Sequence, residues 1–412
     1  MSSDYVPRLA DRLIGDLLTE FAALLVLGPR AVGKTTTAAR HARTTLRLDQ
    51  PRIAAAVEAD PDAALLNLEE PVLIDEWQLV PSVLGAIKRS VDANSAPGRF
   101  IVTGSVHGDL DHQTWPGTGR LLRVDMSGLT VRELDRRPLD APPFLDRART
   151  GTFSSPADAP DLRGYVELAV RGGFPQLALR DSAQGRGRWA RTYLNELFTR
   201  DVGQLNGGRD PKLLRRYFQM FAANTSGVVT EKTIFEAAGV SRNTAIAYEK
   251  LLSDLYIVDI VPAWHTNRLK RLVKLPKRYV VDTGLVSAAL GVGIDAVMLD
   301  GDLIGRLLDT FVAAQLRAEL QLGEREATLY HLRDANGSRE VDLLIEFDDG
   351  RVIACEIKAT GAPRKEHAKH LTWLRDELGD RFVAGIVFHT GPRVFPLDEK
   401  VSAVPICAIW HS

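Results

Sequence analysis

The sequence predicts an α/β chain, with a parallel sheet first, a helical middle part and a second strand-rich part at the end. Three observations predict it. Residues 21 to 133 alternate short apolar runs with helix-compatible stretches, the pattern of a parallel sheet covered on both faces. From Leu162 to about Leu290 the pattern is mainly helical, and strand patterns return near Thr328 around one helix at 364–378. Boundaries set on these shifts give a first domain over 1–135, an irregular connector rich in Pro, Asp, Ser and Arg over 136–161, a helical domain over 162–290 and a last domain over 291–412.

The first strand, Phe21 to Leu27, runs straight into Gly28-Pro29-Arg30-Ala31-Val32-Gly33-Lys34-Thr35, an uninterrupted G-x-x-x-x-G-K-[ST]. A strand entering such a run and a helix-compatible stretch from Thr36 leaving it describe a phosphate-binding loop. Its backbone N–H groups wrap a β-phosphate, Lys34 neutralises the β/γ oxygens, and the Thr35 hydroxyl can ligate Mg²⁺. ATP and Mg²⁺ are therefore the expected cofactors. A second strand, Pro71 to Glu76, ends in two carboxylates, which suit Asp75 to the Mg²⁺ shell and Glu76 to polarising an attacking water. A protein that merely binds nucleotide has no need of Glu76. A third strand, Phe100 to Ser105, ends in hydroxyls, so Thr103 can reach the γ-phosphate or the water. Gly119-Arg120 precedes a further strand, Leu121 to Val124, which gives Arg120 the place of the arginine that ring-forming ATPases present to the next subunit's γ-phosphate.

At 412 residues with a net charge of −1, the chain has room for two or three cores and carries no global basic field, so any nucleic-acid surface has to be local. Cys355 and Cys407 lie in apolar runs without metal-ligand spacing, which argues against a disulfide scaffold or a zinc site. No apolar run approaches the length of a membrane span, and the start, Met1 to Arg8, lacks a basic segment followed by an apolar one. A cytoplasmic protein without membrane attachment is expected.

Within the helical part, Thr230 to Ala238 and Ser241 to Leu252 read as two helices joined by a turn at Gly239-Val240, and Tyr256-Ile257-Val258 with Tyr279-Val280-Val281 can form the wing of a winged helix. The second helix opens with Arg242 and Asn243, as a DNA reader would. Residues 264 to 278 carry Arg268, Lys270, Arg271, Lys274, Lys277 and Arg278 without an acid, a candidate for phosphate-backbone contact. Upstream, the stretch from Arg180 to Arg216 is also biased to basic residues. In the last domain, Glu340 to Ile345, a turn at Asp348-Asp349-Gly350 and Val352 to Lys358 form a hairpin. On it Asp342, Glu356 and Lys358 can converge, two carboxylates for a metal and a lysine to orient water; Asp309 on the helix 307–320 is a candidate fourth group.

These motifs, together with Ile74-Asp75-Glu76-Trp77-Gln78, Gly172-Gly173-Phe174-Pro175, Arg200-Asp201-Val202, Lys277-Arg278-Tyr279 and Asp282-Thr283-Gly284, resemble the prokaryotic AAA-superfamily ATPases whose C-terminal domain of unknown function is similar to PD-(D/E)xK nucleases. The resemblance covers nearly the whole chain. It implies an AAA-type P-loop domain, a winged-helix middle domain and a restriction-endonuclease-like end. Where the family usually has Glu on the helix entering the last domain, this chain has Asp309, one methylene shorter. The expected function is Mg²⁺-dependent ATP hydrolysis coupled to DNA remodelling or translocation by a self-assembling ring, with a hexamer as the candidate size. The alternatives are an ATP-gated DNA nuclease and a nucleotide-dependent switch that binds a protein partner.

Overall fold

The computed structural model describes residues 5–105, 118–201, 210–228, 231–267, 271, 274–334 and 338–411. By contact the chain divides into two units, Met1–Gly128 with Leu252–Ile257, and Leu129–Leu251 with Val258–Ser412.

The first unit is built on five parallel strands, β1 (Ala23–Leu27), β2 (Thr44–Arg47), β3 (Val72–Asp75), β4 (Phe100–Gly104) and β5 (Leu122–Asp125), in the order β2-β3-β4-β1-β5. Successive residues of β1 serve opposite faces. Leu24 and Val26 pack with Ile14, Leu73, Ile101 and Val124, while Leu25 and Leu27 pack with Ile74, Leu84, Ile87 and Val102. Both faces are thus buried, which is why these strands read as continuous apolar runs. The order also sets the site. With β4 between β1 and β3, the phosphate-loop end of β1 and the carboxylate end of β3 flank the Thr103-Gly104-Ser105 end of β4.

The second unit holds the helices Leu162–Arg171, Ala183–Glu196 and Pro211–Ala223, then Glu231–Ala238 and the helix Arg242–Asp254 as far as Leu251, and Gly239 turns between the last two at φ 67°. An antiparallel pair follows, β6 (Val258–Val261) and β7 (Lys277–Val280). A mixed sheet of β8 (Ala327–Arg333), β9 (Glu340–Phe347), β10 (Val352–Lys358), β11 (Phe382–His389), β12 (Phe395–Asp398) and β13 (Val401–Pro405) ends the chain in the order β12-β13-β11-β10-β9-β8. The hairpin at Asp348-Asp349-Gly350 joins β9 to β10 as the sequence predicts.

The connector departs from expectation. It is not wholly irregular: Phe144–Arg149 is helical, with Phe144 fully buried. The cause is a distant acid. Glu319, at the end of the long helix Gly301–Glu319, accepts from Phe144 N at 2.6 Å and pairs with the buried Arg132 at 3.2 Å, so the segment has a fixed anchor.

The Gly-Gly-Phe-Pro and Asp-Thr-Gly motifs turn out to be one structural lock. Asp282 Oδ2 accepts from Gly173 N at 2.6 Å and Oδ1 from Gly284 N at 2.8 Å. Gly172 sits at φ 70°, and a Cβ there would lie 2.4 Å from Asp282 Oδ1. Gly172→Ala adds left-handed strain to that overlap, so it is expected to destabilise the second unit by about 3 kcal/mol. Thermal unfolding checks this; a melting temperature equal to wild type would remove the lock.

Candidate active site

Phosphate-loop geometry follows from two backbone positions. Gly28 takes φ 151°, and a Cβ on it would lie 2.1 Å from Met126 O, so no larger residue can leave β1 here. Gly33 then turns the chain at φ 98° into the helix Lys34–Ala38. Within the loop Pro29 and Val32 are buried, Arg30 is half-buried and Ala31 is exposed in the left-handed region at φ 65°; Thr36 is exposed at the start of the helix. The Lys34 ammonium folds back onto Gly28 O at 3.0 Å and Pro29 O at 2.8 Å.

The three sites read from strand ends converge. Asp75 is 2% exposed, and its Oδ1 accepts from Thr35 Oγ1 at 2.7 Å and from Thr103 Oγ1 at 2.6 Å. Thr35 and Asp75 thereby offer hard oxygen donors at one point, a set suited to Mg²⁺ completed by phosphate oxygens and waters. Thr103 corrects one expectation. It is fully buried and gives its proton to Asp75, so it orients the carboxylate instead of facing phosphate, because β4 lies directly against β3. Glu76 occupies left-handed backbone at φ 59°, ψ 52°, a conformation worth about 1–3 kcal/mol of strain in a non-glycine residue. Its carboxylate accepts from Gln78 Nε2 and lies 3.3 Å from Ser105 Oγ.

Sequence reasoning missed Arg8. Only 4% exposed, it donates through Nη1 to Val32 O at 2.9 Å and through Nη2 to Ser127 O at 2.8 Å, clamping the loop from upstream. No local pattern marks it, since its partners are carbonyl oxygens far along the chain. Arg120 stays at the surface, bonded to Asp92 Oδ1 at 2.9 Å and to Thr118 O at 3.0 Å.

Burial pushes the Lys34 ammonium down to about 8, against the pull of Glu76 and Asp75. Triphosphate on the loop would restore its charge, so above pH 8 binding must take up a proton. The dissociation constant is expected to be flat below about pH 7, to rise through pH 8 and to approach about tenfold per pH unit above about pH 9. Fluorescent nucleotide titrations at pH 7.5, 8.5 and 9.5 test this, and equal affinities would contradict it.

In the second unit Asp309, Asp342, Glu356 and Lys358 do converge, but with an unexpected guest. Lys277 on β7 is 1% exposed, and its Nζ donates to Asp309 Oδ2 at 2.6 Å and to Asp342 O at 3.0 Å. Burial works against that charge; Asp309, Tyr279 and Asp342 outweigh it and hold the Lys277 pKa well above the ordinary lysine value. Lys277 Nζ, 2.6 Å from Asp309 Oδ2 and 3.5 Å from Asp342 Oδ1, thus stands between two members of the expected metal set of Asp309, Asp342 and Glu356.

The described cations of the basic segment likewise have partners within the chain. Arg271 forms a two-pronged pair with Glu346 at 2.5 and 2.9 Å, Lys274 donates to Arg333 O at 3.2 Å, and Arg278 is buried against Glu249 at 2.8 Å. Arg271 and Lys274, expected at phosphates, thus have internal partners, while Arg268 and Lys270 lie outside the described residues. Arg242 and Asn243 are exposed at the start of their helix.

Residues 20–135 match the family model described as AAA domain, and residues 162–295 and 304–409 match two models each described as a domain of unknown function, DUF8612 and DUF4143. The uncharacterized proteins Mb2031c of Mycobacterium bovis and Rv2008c of Mycobacterium tuberculosis are each 29% identical over 388 residues, 93% of this chain and 79% of theirs. Among solved structures, the Walker-type ATPase PABY2304 of Pyrococcus abyssi aligns with a TM-score of 0.42 at 14% identity over 69% of this chain and 96% of that one. AMPPCP-bound DnaA from Aquifex aeolicus aligns with a TM-score of 0.25 at 10% identity, over 61% and 89%. The AAA match and the loop geometry together support an AAA-type P-loop ATPase. No helix among the described residues is long and apolar enough to cross a membrane.

Proposed function

We propose that this chain hydrolyses ATP with Mg²⁺ and couples turnover to the remodelling or movement of DNA. The observation that carries the hydrolytic part is the convergence of Thr35, Thr103 and Asp75 beside a strained Glu76. Mg²⁺, held by Thr35 and Asp75, would neutralise phosphate charge. The loop amides and Lys34 bind and orient the triphosphate, and Thr103 fixes the Asp75 carboxylate. Glu76 accepts the proton of the attacking water, and Gln78 and Ser105 set where its carboxylate points.

The DNA part rests on the two exposed helix-start residues, Arg242 and Asn243, on a helix that follows a tight turn. ATPase rates measured in parallel with duplex, single-stranded and four-way junction DNA test it. At least one of these is expected to raise the rate several-fold, with a steep loss as salt increases. Arg242→Glu with Asn243→Glu should remove that stimulation and leave the basal rate intact. Equal rates with and without all three DNAs would favour a switch that answers to a protein partner.

A further inference from the structure

The carboxylates of Asp309, Asp342 and Glu356 come from three elements, the helix Gly301–Glu319, β9 and β10. Three acids drawn together this closely, Asp309 and Glu356 buried and Asp342 half-buried, need positive charge among them. A divalent cation is one solution, and it would have to sit within about 2.0–2.6 Å of an oxygen from each ligand. The point shared by Asp309 and Asp342 is already filled. Lys277 Nζ lies 2.6 Å from Asp309 Oδ2, 3.5 Å from Asp342 Oδ1 and 3.0 Å from the Asp342 carbonyl oxygen.

Most of the remaining carboxylate oxygens are also engaged. Asp309 Oδ1 accepts from Tyr279 OH at 2.9 Å, Asp342 Oδ2 from Ile357 N at 2.9 Å, and Glu356 Oε2 from Lys358 Nζ at 2.6 Å. Glu356 Oε1 is buried without a hydrogen bond and has His370 Nδ1 3.7 Å away, at ion-pair and not hydrogen-bond distance. Strand alternation explains the arrangement. Lys277 and Tyr279 point to the same side of β7, and both reach Asp309, while Arg278 between them turns away to Glu249.

We propose that Lys277 is a built-in counter-ion that takes the place of a divalent metal, so that this carboxylate cluster excludes metal, does not support metal-dependent strand cutting and instead fastens β7 to the helix and sheet of the second unit. Two ammonium groups, Lys277 and Lys358, set against three carboxylates leave little charge for a cation to neutralise. Removing Lys277 would leave the three acids with Lys358 as their remaining lysine, and a site for a hard divalent ion would open.

Manganese alone is the probe, added to nucleotide-free protein so that the result does not depend on the ATPase reading. Wild type is expected to take up no Mn²⁺ at this cluster by calorimetry and to show no Mn²⁺-dependent rise in melting temperature. Lys277→Met should take up about one Mn²⁺ per chain, with a rise of roughly 5 °C at saturation, and adding Asp342→Asn should cancel both. Mn²⁺ uptake by wild type that disappears in Asp342→Asn would overturn the proposal, as would a folded Lys277→Met that takes up none. Where Lys277→Met does not fold, the wild-type titration with its Asp342→Asn control decides by itself. Duplex nicking by wild type in Mn²⁺ that is lost in Asp342→Asn would also overturn it.

Discussion

Glu76→Gln is expected to keep ATP bound and to lose turnover by about 10²-fold or more, the contribution of a positioned general base. The reason is geometric. Glu76 is held in left-handed backbone with its carboxylate on Gln78 and Ser105, apart from the Thr35–Asp75 pair that would face the metal, so its loss removes proton acceptance without dismantling the phosphate loop. Lys34→Ala should do the reverse and abolish nucleotide binding, because it removes the ammonium that rests on Gly28 O and Pro29 O and would neutralise the phosphate oxygens. Nucleotide titration beside a phosphate-release assay separates the two. Wild-type ATP affinity in Lys34→Ala, or wild-type turnover in Glu76→Gln, would take the site assignment away.

What could be read from the sequence was whatever chemistry is written locally. The phosphate loop, the two acids after Ile74 and the hydroxyl end of β4 are short runs whose residue types state their own purpose, and the structure brings them together. The β2 strand, Thr44–Arg47, was not legible, because it is an edge strand whose residues alternate between half-buried and exposed and never form an apolar run. Charge was legible as a sum but not as a set of partners. The run 264–278 counts six basic residues, yet Arg271 answers Glu346, Arg278 answers Glu249 and Lys277 answers Asp309. Each partner lies far along the chain, so a tally of local charge assigns to solvent what the fold turns inward. Arg8 shows the same limit from the other side: one arginine near the start reads as surface, and only the approach of Val32 O and Ser127 O gives it a task.

Arg120 is where the largest remaining effect is expected. Within the chain its side chain is 38% exposed and paired with that of Asp92, itself 42% exposed, and such a surface pair is worth about 0.2–1 kcal/mol. That is weak enough to be exchanged when a phosphate approaches. An arginine that reaches a neighbouring γ-phosphate contributes about 10³–10⁵ in turnover, so Arg120→Ala in an assembled ring should lose at least about 10²-fold while nucleotide affinity holds. If the arginine serves the next subunit, an Arg120→Ala chain keeps its own Glu76 and a Glu76→Gln chain keeps its own Arg120. Each supplies what the other lacks. Random equal mixing would make about a quarter of the interfaces complete, and activity should reappear in proportion from two preparations that are inactive alone. Mixtures that stay inactive across all ratios, with co-assembly established by light scattering, would leave Arg120 as a surface residue bound to Asp92.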